Sequence, residues 1–140
     1  MTIFGKRVCV LLLAVQAVVV GTWAAVLPLS FYRDFPAPGW NWVSLLGPYN
    51  EHLVRDVGGL YLALAVLSVL TFRQPTVTLL RVTGGAWLIF NVEHWLWHAL
   101  HLDVFSTAHA VGNMVGLSIP LLLSILLLLP TAAEGRKMTP

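Results

Sequence analysis

The sequence predicts an all-α integral membrane protein, a single domain over residues 1–140 built as a bundle of four transmembrane helices. Three observations carry that expectation. First, apolar residues make up 58% of the chain and the mean hydropathy is +0.82, well above the composition of a water-soluble globule. Second, the apolar residues gather into four blocks, about 8–28, 53–72, 79–100 and 108–129. Each is close to the roughly 20 residues that an α-helix needs to cross a hydrocarbon core. Third, the eight lysines and arginines stand near the ends of these blocks or in the connections, and none lies mid-block. Lipid offers the backbone no hydrogen-bonding partner, so such segments must be helical.

The first block follows Lys6 and Arg7, a start that a signal peptide shares. Its apolar run exceeds the roughly 7–15 residues of a signal h-region, and Thr22–Trp23–Ala24 is a weak cleavage site, so a retained helix is expected. The lone Cys9 cannot pair within the chain and reads as a small hydrophobe. The next connection, LSFYRDFPAPGWNWVSLLGPYN, carries prolines and glycines at 36, 38, 39, 47 and 48 that break regular structure. Phe31, Tyr32, Phe35, Trp40 and Trp42 suit the headgroup zone. It reads as an external cap rich in Trp and Pro, with a short interfacial helix near Trp42–Leu46; an anchoring belt without a ligand role is the plainer alternative.

The second block opens on Asn50, a good N-cap, with Glu51 favourably placed against the helix dipole. The link RQPTVT is short, which makes the second and third helices antiparallel neighbours. Ser106 or Thr107 caps the fourth helix, and Pro120 is expected to bend it. Gly58 and Gly59, Gly84 and Gly85, and Gly112 with Gly116 mark faces where helices can approach closely in lipid.

Basic residues set the orientation. Lys6, Arg7, Arg73, Arg81, Arg136 and Lys137 fall on one side and only Arg33 and Arg55 on the other. Both termini are therefore expected in the cytoplasm. No basic patch interleaved with exposed aromatics points to nucleic acid.

The titratable groups are unevenly placed. All five histidines, with Glu51, Asp56, Glu93 and Asp103, lie at the outer ends of the last three helices. At 100° per residue, Trp87, Asn91, His94, His98 and His101 share one stripe. His109, Gly112, Asn113 and Gly116 share another, and His52, Asp56, Gly59 and Ala63 a third. A charge facing lipid costs roughly 2.5–3.5 kcal/mol, so an inward cluster is the cheaper arrangement.

His94 and His98, one turn apart, have the spacing of two helical metal ligands. His52, Asp56 and His109 would complete a nitrogen and oxygen shell for zinc, copper or iron. His101, Arg55, Asn113, Glu51 and Glu93 are supporting or access positions around it. A haem held axially by His52 and His98, against Trp87, Trp95 or Trp97, is a less favoured cofactor. Two other readings stay open: a proton-coupled or small-molecule membrane carrier using Asp56, Glu93 and the histidines, and a packing subunit of a larger membrane complex with an inert polar network. The second would have a homo-oligomeric or membrane partner beyond the lipid bilayer itself. Glu51 and Arg55 also fit an ordinary helical ion pair. No nucleophile–base arrangement or phosphate loop is present to suggest a hydrolase.

The stretch GPYNEHLVRDVG at 47–58, the pattern HxxxHxxHL at 94–102 and VGN at 111–113 resemble a group of small four-helix bacterial membrane proteins of uncharacterised activity, loosely similar to the DoxX-like group. In that pattern a proline precedes the first histidine and a tyrosine is common before the second; Glu93 and Trp97 stand there here. The resemblance implies four helices and a multi-pass protein of the bacterial cytoplasmic membrane, and no activity.

Overall fold

Thr2 begins the chain's first helix by accepting a hydrogen bond from the Gly5 amide through its hydroxyl. That cap places Lys6 and Arg7 inside the helix rather than ahead of it. In the computed structural model, which describes residues 1–131, every regular element is helical. Four long helices are α1 (Ile3–Val26), α3 (Glu51–Arg73), α4 (Val77–Ala99) and α5 (Thr107–Leu128). A short α2 (Pro28–Asp34) follows α1 directly, and 3-10 turns occupy Ser44–Leu46 and Leu102–Val104. The expected contribution of Arg136 and Lys137 to orientation lies outside the described residues.

Local signals account for most boundaries. The Asn50 side chain accepts from the Leu53 amide at 3.2 Å and opens α3; Thr76 does the same for α4 and Ser106 for α5. The unexpected element is α2. Leu27 breaks the first helix and Pro28 starts the second at its first turn, where a missing N–H costs nothing. α5 continues through Pro120, which has no N–H to offer the Gly116 carbonyl four residues earlier. The interfacial helix expected near Trp42–Leu46 is a single 3-10 turn.

Packing is strongest within two antiparallel pairs, α1 with α3 and α4 with α5. Glycines set both close crossings. A Cβ on Gly58 would lie 2.5 Å from the Ala25 nitrogen, and one on Gly84 would lie 2.8 Å from Leu127 Cβ. Gly21 contributes at the first crossing, 3.0 Å from Tyr61 Cβ. Gly59, Gly85 and Gly116 meet nothing within 4 Å, and Gly112 faces the Trp42 ring at an ordinary 3.4 Å. Of the six glycines read as packing positions, only Gly58 and Gly84 therefore hold helices together, because the other member of each GG pair points about 100° away.

The two pairs join at the end that carries Lys6, Arg73 and Arg81. There Thr71 and Thr83 hydroxyls meet at 2.6 Å, and Trp87 Nε1 donates to Ser68 Oγ at 2.9 Å. Lys6, 1% exposed, donates from Nζ to the Leu127 carbonyl at 2.8 Å and to that of Leu129, covering acceptors that the end of α5 leaves open. Arg7 lies 4.9 Å above the Phe72 ring. A core of Leu13, Ala17, Tyr61, Leu64, Leu80 and Trp87 fills the middle.

Three helices, Ile3–Val26, Glu51–Arg73 and Thr107–Leu128, are long and apolar enough to cross a membrane. Their outer faces remain apolar: Leu12, Val15, Val66, Val115 and Leu122 are all exposed. The chain is thus a helical protein with the character of a membrane protein.

Candidate functional site

Toward the opposite end, beyond the Tyr61–Phe90 ring contact at 5.1 Å, the helix pairs enclose a cavity of about 580 Å³. The volume falls within the range of small-molecule sites. Its wall is mainly apolar and draws on every long helix: Gln16 and Val20 from α1, Val54 and Tyr61 from α3, Phe90, Glu93, His94 and His98 from α4, and Asn113, Gly116 and Leu117 from α5.

The roof comes from α2 and the loop after it. Phe31 and Phe35 pack against each other and Trp23, with ring centroids 4.8–6.0 Å apart. The chain then turns back through Gly39 and Asn41, both with positive φ, and the Trp42 amide donates to the Phe35 carbonyl at 2.9 Å. Trp42 lies over Gly112, with ring atoms 3.4 and 3.6 Å from where a Cβ would stand, ordinary contact distances. Trp40 stacks on His109 at 5.3 Å and 8°, and Trp42 meets the same imidazole edge-on at 6.3 Å. Tyr32 ties the loop's far end by donating to the Gly47 carbonyl at 2.8 Å.

Several buried polar atoms at or just behind this wall have no hydrogen bond: Trp42 Nε1, His98 Nδ1 and Asn113 Oδ1, with Asn91 Nδ2 about two turns below His98. His98 is 7% exposed and Asn113 2%. The two side chains lie within reach of one another, yet neither His98 Nδ1 nor Asn113 Oδ1 has a partner of proper geometry. Unpaired polar atoms so deeply buried are uncommon in proteins and usually mark a place for water or ligand.

The histidines do not converge as one shell. His94 and His98 are neighbours, ring centroids 4.8 Å apart, and both line the cavity. His52 pairs with Asp56 at 3.3 Å on the outside of α3, with side chains 82% and 58% exposed. His109 is held in the Trp40–Trp42 stack. Among the described residues no group of three or more His, Cys, Asp or Glu side chains is placed to hold a metal ion. The five-ligand shell of His94, His98, His52, Asp56 and His109 therefore does not form. Nor does an axial His52–His98 pair, since His52 is exposed beside Asp56 while His98 is buried against the cavity.

The reason is rotational. His52, Asp56, Gly59 and Ala63 do share a stripe, but α3 turns its Gly58 and Tyr61 side toward α1, which leaves that stripe outward. The α4 stripe faces inward from Trp87 through Asn91 to His98. It ends there because the helix stops at Ala99, and His101 stacks outside on Trp97 at 4.1 Å with Nδ1 2.7 Å from the Trp97 carbonyl. Arg55 grips Glu51 at 2.8 Å and also donates to the Ala25 carbonyl at the end of α1, an ion pair and helix-end clasp rather than part of the cavity. Sequence reasoning missed Phe31, Phe35, Tyr61, Phe90 and Gln16; apolar and amide residues on a greasy helix give no periodic signal that separates a cavity wall from a core.

The chain matches no protein-family model, no curated protein and no solved structure.

Proposed function

We propose that the chain is a four-span protein of the bacterial cytoplasmic membrane, with both termini in the cytoplasm and the loop around Trp40 and Trp42 as an external cap, and that its cavity binds a small amphipathic molecule drawn from the outer leaflet. The observation that carries the reading is the cavity itself: about 580 Å³, apolar over most of its wall, with unpaired buried atoms on the lining residues Trp42, His98 and Asn113. That combination suits a guest with an apolar body and one hydrogen-bonding group. A fourth span is supported by α4, whose Val82, Ile89 and Leu96 form an exposed apolar stripe, while Trp87, Asn91 and His98 are buried. The bacterial membrane rests on the resemblance to small four-helix proteins.

Gentle purification, followed by solvent extraction and mass spectrometry, tests the reading. Wild-type protein should release a small amphipathic compound, and a Gly116→Trp variant, with an indole built into the cavity, should release none. Equal recovery from the two, or no compound from wild type, removes the proposal. A second reading is a metal ion held by His94 and His98, favoured by their adjacent rings. Elemental analysis and an absorption spectrum of the same samples decide it: retained metal that disappears in a His94→Ala/His98→Ala double variant supports that reading, and absence of metal from wild type ends it.

A further inference from the structure

The charge pattern of the cavity goes further than its size and rests on the cavity being a ligand site. Among its lining residues Glu93 is the only one with a formal charge. Glu93 takes part in neither the His52–Asp56 nor the Arg55–Glu51 ion pair. It is exposed while also lining the cavity, which puts the residue at the rim. No lysine or arginine lines the cavity: Lys6 lies at the other end of the bundle, and Arg55 is committed to Glu51 and the Ala25 carbonyl.

The rest of the wall favours the same sign. Phe31, Phe35, Trp42, Tyr61 and Phe90 present aromatic rings, whose faces attract cations. The unpaired Asn113 Oδ1 is an acceptor. The Gly116 carbonyl, which lacks its helical donor because residue 120 is proline, belongs to a residue of the wall. Among the lining residues Trp42 Nε1 is an unpaired donor, and His98 Nδ1 is unpaired as well, donor or acceptor according to its tautomer. An anionic guest would meet Glu93 with no compensating cation, in surroundings where repulsion is poorly screened. We infer that the cavity selects lipophilic ammonium ions, an apolar or aromatic body carrying a protonated amine, with Glu93 as counter-ion and the aromatic roof over the cationic head.

The test uses the full chain in nanodiscs of zwitterionic lipid and three fluorescent probes with a common body: 1-naphthylmethylamine, 1-naphthylmethanol and 1-naphthylacetate. Empty nanodiscs give the background partitioning. Wild-type protein should bind the ammonium about tenfold more tightly than the carboxylate, with the alcohol between them. Glu93→Gln should reduce the ammonium–carboxylate gap to about twofold or less. Gly116→Trp should abolish binding of all three. Equal or tighter binding of the carboxylate overturns the inference, as does a preference that survives in Glu93→Gln, while the cavity itself stands as long as Gly116→Trp blocks the probes. If no probe binds wild type, or Gly116→Trp binds like wild type, the cavity reading fails and the charge selectivity falls with it.

Discussion

At Gly58 a single absent methyl group decides where two helices cross. Its Cβ position lies 2.5 Å from the Ala25 nitrogen and 2.9 Å from the Ala25 Cβ, so any side chain must push α1 away from α3. Gly58→Val should lower stability by about 1–3 kcal/mol, read as a lower midpoint of thermal unfolding in detergent. Gly59→Val, beside it in the sequence and open on all sides, should leave the midpoint within the spread of ordinary surface changes, about 0.5 kcal/mol. The pair was legible as a place of close approach, but which of the two glycines makes it was not, since periodicity relates residues on one helix and says nothing about the helix's rotation against its neighbour. His52 and Asp56 teach the same lesson. Their common stripe was readable and its outward direction was not. The double variant His52→Ala/Asp56→Ala should therefore bind cavity ligands as wild type does, whereas His98→Ala should weaken binding severalfold; equal losses in a ligand titration would place His52 and Asp56 in the site after all.

Among the elements, the four long helices were legible to within a few residues because lipid demands length and helical closure of the backbone together. α2 was not, because Pro28 reads as a breaker whether it ends one helix or begins the next. The prolines at 36 and 38 then made the whole connection look irregular. α1 carries a larger consequence. It contributes Gln16 and Val20 to the cavity, crosses α3 at Gly21, and through Lys6 closes the end of α5. Packing of this extent predicts a retained helix, so the mass of the protein purified from membranes should include it; a mass lacking the residues before Ala24 or Ala25 would make it a removed signal. Lys6→Met keeps the stem of the side chain and deletes its bonds to Leu127 and Leu129. Hydrogen bonds from a charged donor are worth about 1.5–3 kcal/mol, and the variant should unfold at lower temperature by a corresponding amount, with ligand binding at the distant cavity retained.

For the whole molecule, the decisive question is whether α4 crosses the bilayer alongside the three helices that are long and apolar enough to do so. Its mean apolarity is reduced by Arg81, Asn91, Glu93, His94 and His98, yet most of that polarity is turned inward or sits at an end. Asn91 is 4% exposed and His98 7%, while Val82, Ile89 and Leu96 are 53%, 78% and 51% exposed. A helix that hides its polar groups against its own bundle presents lipid with an apolar side, whatever its average. Four crossings put the cap and the α4–α5 turn on one face and the α3–α4 link on the other, whereas a surface-lying α4 would separate the cap from the cavity it roofs. Replacing Cys9 by serine and adding one new cysteine at a time reads the topology directly. A membrane-impermeant maleimide should label Asn41→Cys in intact spheroplasts and Gln74→Cys only after the membrane is opened. Leu102→Cys, in the turn between α4 and α5, should behave like Asn41→Cys if α4 spans. Labelling of positions 74 and 102 from the same face would reduce the bundle to three crossings, and the cavity would then open to a different compartment from its cap.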